Sequence, residues 1–420
     1  MNKQDFNEGL LGFLDASPTP FHATQNMGLM FENAGFEKLD EKKKWELREG
    51  GKYYVTRNDS SVIAFTYPGS RKDYLMVGAH SDSPNLKLKP NPVIKEHGVV
   101  KFGVESYGGL LLNPWFDRDI SLAGRVSYLD EKNEIQSALI NVEKKIAIIP
   151  SLAIHLDDKA NKERTVNKQT DICPILSTNE DFDFDAFIRW QLDRIGIKNA
   201  KEIYAHELSF YDTQKASYVG LRDDFIASAR LDNLLSCYVG MLSICSVEAD
   251  TPMLFIASDH EEVGSESTSG AGGSFLENTL RRMFDDYEEY VEMVRSSMMV
   301  SADNAHAIHP NYPSKHDKEH APLMNDGVVV KINANQRYAT NSQTTAKFLQ
   351  RADSLGQKVQ KFVNRSDMGC GSTIGPITAT RIGIDTIDVG LPTLAMHSIR
   401  ELAGSDDAHS LYKILREFHL

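Results

Sequence analysis

The sequence predicts an α/β protein carrying a mostly β insert, and three observations point there. Short, almost wholly apolar runs recur at Tyr74–Ala79, Met253–Ala257 and Met298–Ser301. This is the pattern of strands buried on both faces of a sheet. Stretches of helical periodicity lie between them. From about Pro92 to Asp223 the texture turns to strand-like segments and polar turns, and after about Asp224 strands and helices alternate again. A length of 420 residues agrees with two or three domains.

The elements follow in chain order. Phe6, Leu10, Leu11 and Leu14 make a helical stripe over Asp5–Ala16. It stops at Ser17-Pro18-Thr19-Pro20, because proline disfavours helical geometry in the residue before it. A second amphipathic stretch covers Phe21–Ala34, and Tyr53–Arg57 and Ser61–Tyr67 read as strands. In the β-rich region the strand-like segments are Val99–Glu105, Leu122–Tyr128, Ile135–Leu139 and Ile203–Tyr211, with a charged loop at Asp157–Lys168 and one helix near Phe184–Arg194. Beyond it, helices are expected over Asn233–Ser246, Phe275–Ser296, Thr344–Leu355 and Asp406–Phe418. Thr386–Val389 and Thr393–Met396 are strand-like.

Composition bounds the function. Hydrophobic residues are 41% and charged residues 25% of the chain, the balance of a globular protein rather than a disordered one. A net charge of −13 argues against nucleic acid or an anionic membrane as a partner, since both are polyanions. No apolar run approaches the ~20 residues of a membrane span. The segment MNKQDFNEGLLGFLDA lacks the basic, apolar and small-residue regions of a secretory signal. Cys173, Cys237, Cys245 and Cys370 are scattered, with no Cys-x-x-Cys spacing, which suits a reducing compartment. A cytoplasmic protein is therefore expected.

The chemistry-bearing residues cluster after the apolar runs. LMVGA leads into His80-Ser81-Asp82, MLFIAS into Asp259-His260-Glu261-Glu262, MMVSA into Asp303, and TLAM into His397. Ligand sites of open α/β sheets gather just outside the carboxyl ends of strands. Asp232, in ARLDN before a helix, is a fifth candidate. Two imidazoles and three carboxylates suit a pair of divalent ions, one carboxylate bridging both. In the Glu261-Glu262 pair, one side chain can bind metal while its neighbour serves as general base. Asp82 can orient His80. Spacing alone leaves the plainer reading open: separate solvated loop residues, with Asp232 as a helix cap.

Other motifs fail. His260-Glu261-Glu262-Val263-Gly264 is not His-Glu-x-x-His, and no Gly-x-Ser-x-Gly elbow occurs. Gly369–Gly375 misses the dinucleotide fingerprint by one residue. Cys370 reads as a small buried residue, and His306, His309, His316 and His320 as loop or supporting histidines.

The blocks VGAHSDSPNLKLKP, NPWFDRDISLAGRV, PSLAIHLDD, SARLDN, DHEEVGSESTSGAGG, SADNAHAIHPNY, VVVKINANQRYATN, MGCGSTIGPITA and LPTLAMHSIRE carry a resemblance. In kind and in order they resemble the aspartyl aminopeptidase family, dinuclear zinc exopeptidases that include the yeast vacuolar aminopeptidase. The resemblance implies a three-layer α/β/α catalytic domain in two segments, 1–91 and 224–420. A β-rich dimerisation domain, 92–223, is inserted between them. It implies that His80 and Asp303 bind one zinc ion, Glu262 and His397 a second, and that Asp232 bridges them, with Co2+ or Mn2+ as alternative metals. Glu261 is then the general base, Asp82 orients His80, and the Asp232–Asn233 peptide bond is cis.

His155, in PSLAIHLDD, matches a loop that reaches a neighbour's active site in relatives, which assemble into large tetrahedral homo-oligomers. Lys331 matches the position expected to meet an acidic side chain of the substrate. The implied activity is removal of the N-terminal residue of a peptide, with preference for Asp or Glu. A neutral or broad preference is the alternative, and an oligomeric assembly protein that has lost turnover is a further one. His260 departs from the family, which often has a small polar residue there.

Overall fold

A computed structural model describes residues 1–69, 73–284, 286–418 and 420. The chain forms two compact units. The first comprises residues 1–83, 216–396 and 401–420, and the second comprises 84–215 with 397–400. The units divide at 83/84 and 215/216. The reason is local: Asn85–Glu96 is one long strand of the second unit's sheet, and Ser217–Val219 already pairs within the first unit.

Among the described residues of the first unit, nine strands form the main sheet. At its middle Met253–Ser258, Leu75–His80, Met298–Ala302 and Asp385–Gly390 run parallel side by side. Ser61–Tyr67 flanks this block antiparallel on one side and Val328–Ile332 on the other.

Alternation along the central strands shows why they read as solid apolar runs. Leu75, Val77 and Ala79 face a core shared with helices Lys3–Ala16, Pro20–Asn33, Leu231–Cys245 and Asp407–Arg416. Tyr74 and Met76 face a second core with helices Phe275–Arg281, Tyr287–Ser296 and Ile374–Ile382. Phe255 and Ile256 divide in the same way. Both faces are therefore covered, giving three layers. Helix Leu231–Cys245 approaches closely at Gly240, where an added Cβ would lie 2.5 Å from the Phe255 ring.

A smaller sheet of five strands in the same unit contains Phe225–Ser228, Glu401–Gly404 and Pro392–Leu394. The second unit holds a six-stranded sheet, with helix Phe184–Arg194 packed through Ile188 and Leu192 onto its own core. Among the described residues no helix is long and apolar enough to cross a membrane.

Most expected elements appear with small shifts at their ends. The expected helix Phe275–Ser296 is instead two, Phe275–Arg281 and Tyr287–Ser296, with Asp286 starting the second; position 285 lies outside the described residues. The strands Asn85–Glu96, Val328–Ile332 and Val359–Val363 and the helix Ile374–Ile382 had no counterpart in the sequence reading.

One buried histidine beside the first helix makes stability depend on pH. His22 lies in the first turn of helix Pro20–Asn33, and its Nδ1 lies 2.8 Å from Thr19 Oγ1. Burial, and then the charge of Arg230, pulls its pKa down to about 4. The folded imidazole stays neutral where the unfolded one, near 6.5, already takes a proton. Stability from this site is thus full above pH 6.5 and lost as pH falls toward 4. The loss amounts to roughly 3 kcal/mol at about 1.4 kcal/mol per pKa unit. Urea denaturation of His22→Gln at pH 7 and pH 4.5 should show a smaller acid-induced loss than the unsubstituted chain.

Candidate metal centre

Three neighbouring parallel strands end in register. His80 pairs with Ser258, and Gly78 pairs with both Ile256 and Ser301. Each chain leaves the sheet at the same edge, delivering His80–Asp82, Asp259–Glu262 and Asp303 to one place. Asp232 arrives from the smaller sheet, just after strand Phe225–Ser228. It sits at the start of helix Leu231–Cys245 with non-helical φ −83° and ψ 107°, and the Asp232–Asn233 peptide bond is cis.

The side chains meet around His80, which is 1% exposed. Its Nε2 lies 3.3 Å from Asp232 Oδ1, 3.6 Å from Asp303 Oδ1 and 4.0 Å from Glu261 Oε2. One donor atom each from His80, Asp232 and Asp303 lies within 4.8 Å of the others, and so do those of His80, Glu261 and Glu262.

Asp82 is tied into the same group. Its Oδ1 lies 3.3 Å from His80 Nδ1, and its two oxygens accept the backbone N–H of Glu261 and of Glu262, each at 3.1 Å. One carboxylate thus holds both the imidazole and the turn that carries the glutamate pair. His80 Nδ1 also lies 3.1 Å from Asp82 O.

Electrostatics describe what such a cluster wants. Burial alone lowers the His80 pKa, yet the hydrogen bonds to Asp232, Asp303 and Asp82 and the charge of Glu261 carry it well above the usual value. Burial first, then Asp303, Asp232 and Asp82 against the opposing pull of His80, brings the Glu261 carboxyl up to about 7. Buried carboxylates packed this closely favour a cation in their midst. The donors are imidazole nitrogen and carboxylate oxygen with no thiolate among them, a set that fits zinc.

His397 is counted with the second unit, where its Nδ1 lies 3.1 Å from Gly109 O and its carbonyl accepts the Leu111 N–H. In sequence it lies in the short connection between strands Pro392–Leu394 and Glu401–Gly404, which pair with each other. Glu401, at the far end of that connection, accepts the Asp232 N–H through Oε2 at 2.9 Å.

Lys331 and His260 also lie by the centre. Lys331 was expected to meet an acidic substrate side chain. Its ammonium is buried, 3.1 Å from Asp303 Oδ2 and 3.0 Å from Asn304 O. Long strand lysines usually reach solvent; here a deep carboxylate keeps the charge inside. His260 precedes the glutamate pair. Its Nδ1 lies 2.9 Å from Ser267 Oγ and its Nε2 3.5 Å from Asp259 Oδ2, so it braces the loop behind the glutamate pair.

His155 is exposed in the second unit on the turn Ile154–Leu156, between the exposed side chains of Leu152, Ile154 and Leu156. His309 and His316 bond each other, and His320 bonds Asp317, within their loop.

Sequence reasoning missed three supporting residues. Asn233 Nδ2 donates to Ala302 O at 3.0 Å and lies 3.3 Å from Asp303 Oδ1. Glu401 holds the Asp232 backbone. The Cys237 thiol, raised to about 12 by burial and so protonated, donates to His80 O at 3.0 Å. Adjacency to Asp232 is the signal that could have found Asn233; nothing in the sequence marks the other two.

Comparison with known proteins agrees with this geometry. The family described as "Aminopeptidase I zinc metalloprotease (M18)" matches residues 13–419. The chain is 52% identical over 425 residues to a "Probable M18 family aminopeptidase 2" of Pseudomonas syringae pv. tomato, covering 99% of this chain and 98% of that protein. It is 51% identical over 423 residues to the protein of the same name in Pseudomonas fluorescens, with the same coverage.

Among solved structures it resembles one titled "Cryo-EM structure of the Ape4 and Nbr1 complex", with TM-score 0.95 and 35% identity over 99% of this chain and 85% of that one. It also resembles the "Structure of S. cerevesiae mApe1 dodecamer", with TM-score 0.87 and 28% identity over 99% and 96%. Matched along nearly its whole length to these enzymes, the chain belongs to the M18 family of zinc metalloaminopeptidases, hydrolases that release the N-terminal residue of peptides.

Proposed function

We propose that this aminopeptidase works through two zinc ions. His80 and Asp303 would hold one, Glu262 and His397 the other, and Asp232 would bridge them. The observation that carries the reading is the convergence of His80, Asp232, Glu261, Glu262 and Asp303 at one sheet edge. His397 joins on two grounds: the family resemblance, and its place in the connection that ends at Glu401, the partner of the Asp232 backbone.

Bound zinc supplies Lewis acidity, which polarises a carbonyl and makes water acidic near neutral pH. Glu261 takes the proton of the attacking water and returns it to the leaving amine. Asp82 keeps this base in place by its grip on the Glu261 and Glu262 backbone. The acidic cluster as a whole would attract the free, positively charged N-terminus of the peptide, which confines cleavage to the first residue.

Preference for Asp or Glu is the family's reading. Lys331, whose ammonium lies 3.1 Å from Asp303 Oδ2, is the cation at the centre that would pair with an acidic side chain, and a neutral or broad preference is the alternative. Self-assembly into a homo-oligomer, in the family reading a tetrahedral dodecamer, is supported by the exposed apolar side chains around His155 and by the dodecamer named for the similar yeast structure. The second unit would supply dimer contacts.

The test is release of chromophore from Asp-, Glu- and Leu-amides, with and without a chelator. Chelator-sensitive hydrolysis restored by zinc is expected, and the ratio of rates assigns the preference. A zinc-loaded sample that hydrolyses none of the three amides would sink the proposal.

A further inference from the structure

Glu261 Oε2 stands 4.0 Å from His80 Nε2, beyond hydrogen-bond reach. The backbone that carries Glu261 therefore sets where its carboxylate lies. That backbone is the turn Glu261–Val263, and Asp82 holds it on one side by accepting two N–H groups.

The other side belongs to His260. It enters the turn at φ 60° and ψ 23°, in the left-handed region where residues other than glycine are uncommon and need support from their surroundings. Its N–H donates to Asp259 Oδ1 at 2.8 Å, and its carbonyl accepts the Ser265 N–H at 2.7 Å. The ring spans the loop that follows. Nε2 lies 3.5 Å from Asp259 Oδ2, while Nδ1 lies 2.9 Å from Ser267 Oγ and 3.4 Å from Ser269 Oγ. Ser267 Oγ also accepts the Gly270 N–H at 2.9 Å.

This loop has no slack. An added Cβ at Gly270 would lie 2.3 Å from Ser265 O, and one at Gly273 would lie 2.5 Å from Ser267 O. The loop is also tied to the main sheet. Ser61 Oγ, on strand Ser61–Tyr67, donates to Ser269 O at 2.7 Å, and the Asp259 N–H meets both Ser61 Oγ and Ser269 O. Contacts thus run from the sheet through Ser269 and Ser267 to the imidazole, and from its backbone to Glu261.

We infer that His260 is a positioning residue for Glu261: its imidazole pins the loop 265–270 against the turn and so fixes where the base stands. The inference rests on the proposed role of Glu261 as general base. A misplacement of about 1 Å can cost about 100-fold in rate. Glu262 suffers less, because a bound metal would hold its carboxylate as well.

The experiment uses full-length, zinc-loaded variants. Steady-state kinetics on Asp- and Leu-amides are measured beside zinc affinity, the latter by competition against a chromogenic chelator. Apo-protein melting is the folding check. His260→Ala should lower kcat about 10–100-fold on both amides, with KM and zinc affinity unchanged. His260→Asn should restore most of the turnover, because its amide can stand where Nδ1 stands and asparagine tolerates the left-handed backbone. In a Glu261→Gln background, His260→Ala should lower the residual rate no further, as expected of residues that act as one unit.

A kcat for His260→Ala equal to that of the unsubstituted chain overturns the inference. So does a fall in zinc affinity that matches the fall in kcat, an Asn variant no faster than the Ala variant, or an additive loss in the Glu261→Gln background. If His260→Ala does not fold, Ser267→Ala removes the hydroxyl facing Nδ1 and is judged by the same kcat, KM and zinc readouts. Full turnover by zinc-replete Glu261→Gln would instead remove the base itself from the reading, a separate outcome.

Discussion

Glu261→Gln should retain zinc while losing turnover by at least the ~10²–10⁴-fold that a positioned base contributes. Gln matches Glu in size and keeps a carbonyl oxygen, so the turn Glu261–Val263 and its two hydrogen bonds to Asp82 should persist. What disappears is the oxygen that takes a proton from water and hands it back to the amine. The loss belongs in kcat and not in KM, because the peptide's terminus is held by other groups. Metal analysis beside steady-state kinetics checks this. Near-normal kcat in a zinc-replete variant would remove Glu261 from the mechanism.

Asp232→Asn should fail at an earlier stage. Asp232 is the carboxylate assigned to both ions, and an amide cannot bridge two cations as an anion does. Zinc affinity should fall by more than the ~100-fold typical of a supporting residue. The accompanying readout is stability. A ligand that binds only the folded state at 100 times its Kd stabilises it by about 2.7 kcal/mol. Adding zinc should therefore raise the melting temperature of the unsubstituted chain and leave that of Asp232→Asn almost unmoved. A normal zinc-induced rise in the variant would count against the bridging role.

How much of this was legible in the sequence depends on what each residue needed. His80 stands at the end of a short apolar run, and Asp303 and Glu262 a few residues beyond two others, so the edge they share could be anticipated before strand order was known. The strand Asn85–Glu96 escaped because Lys87, Lys89, Pro90, Pro92 and Lys95 break its apolar pattern. The helix Ile374–Ile382 escaped because Gly371, Gly375 and Pro376 read as a loop. In the fold Thr373 caps it, and a proline in the first turn is harmless.

The buried setting of Lys331 was hidden for a different reason. Whether a lysine on a strand faces water or a buried carboxylate is decided by strands far apart in sequence, and no local pattern records it. The same holds for Glu401 and Cys237, whose partners Asp232 and His80 lie 169 and 157 residues away.

The scatter of the proposed centre along the chain has a consequence for its disassembly. The residues assigned to zinc are His80, Asp232, Glu262, Asp303 and His397, the first and last 317 positions apart. They come from strand ends and a helix start that only the folded sheets bring together. Loosening any one of these elements withdraws a donor, so the zinc that the folded chain holds should leave it as the sheets come apart.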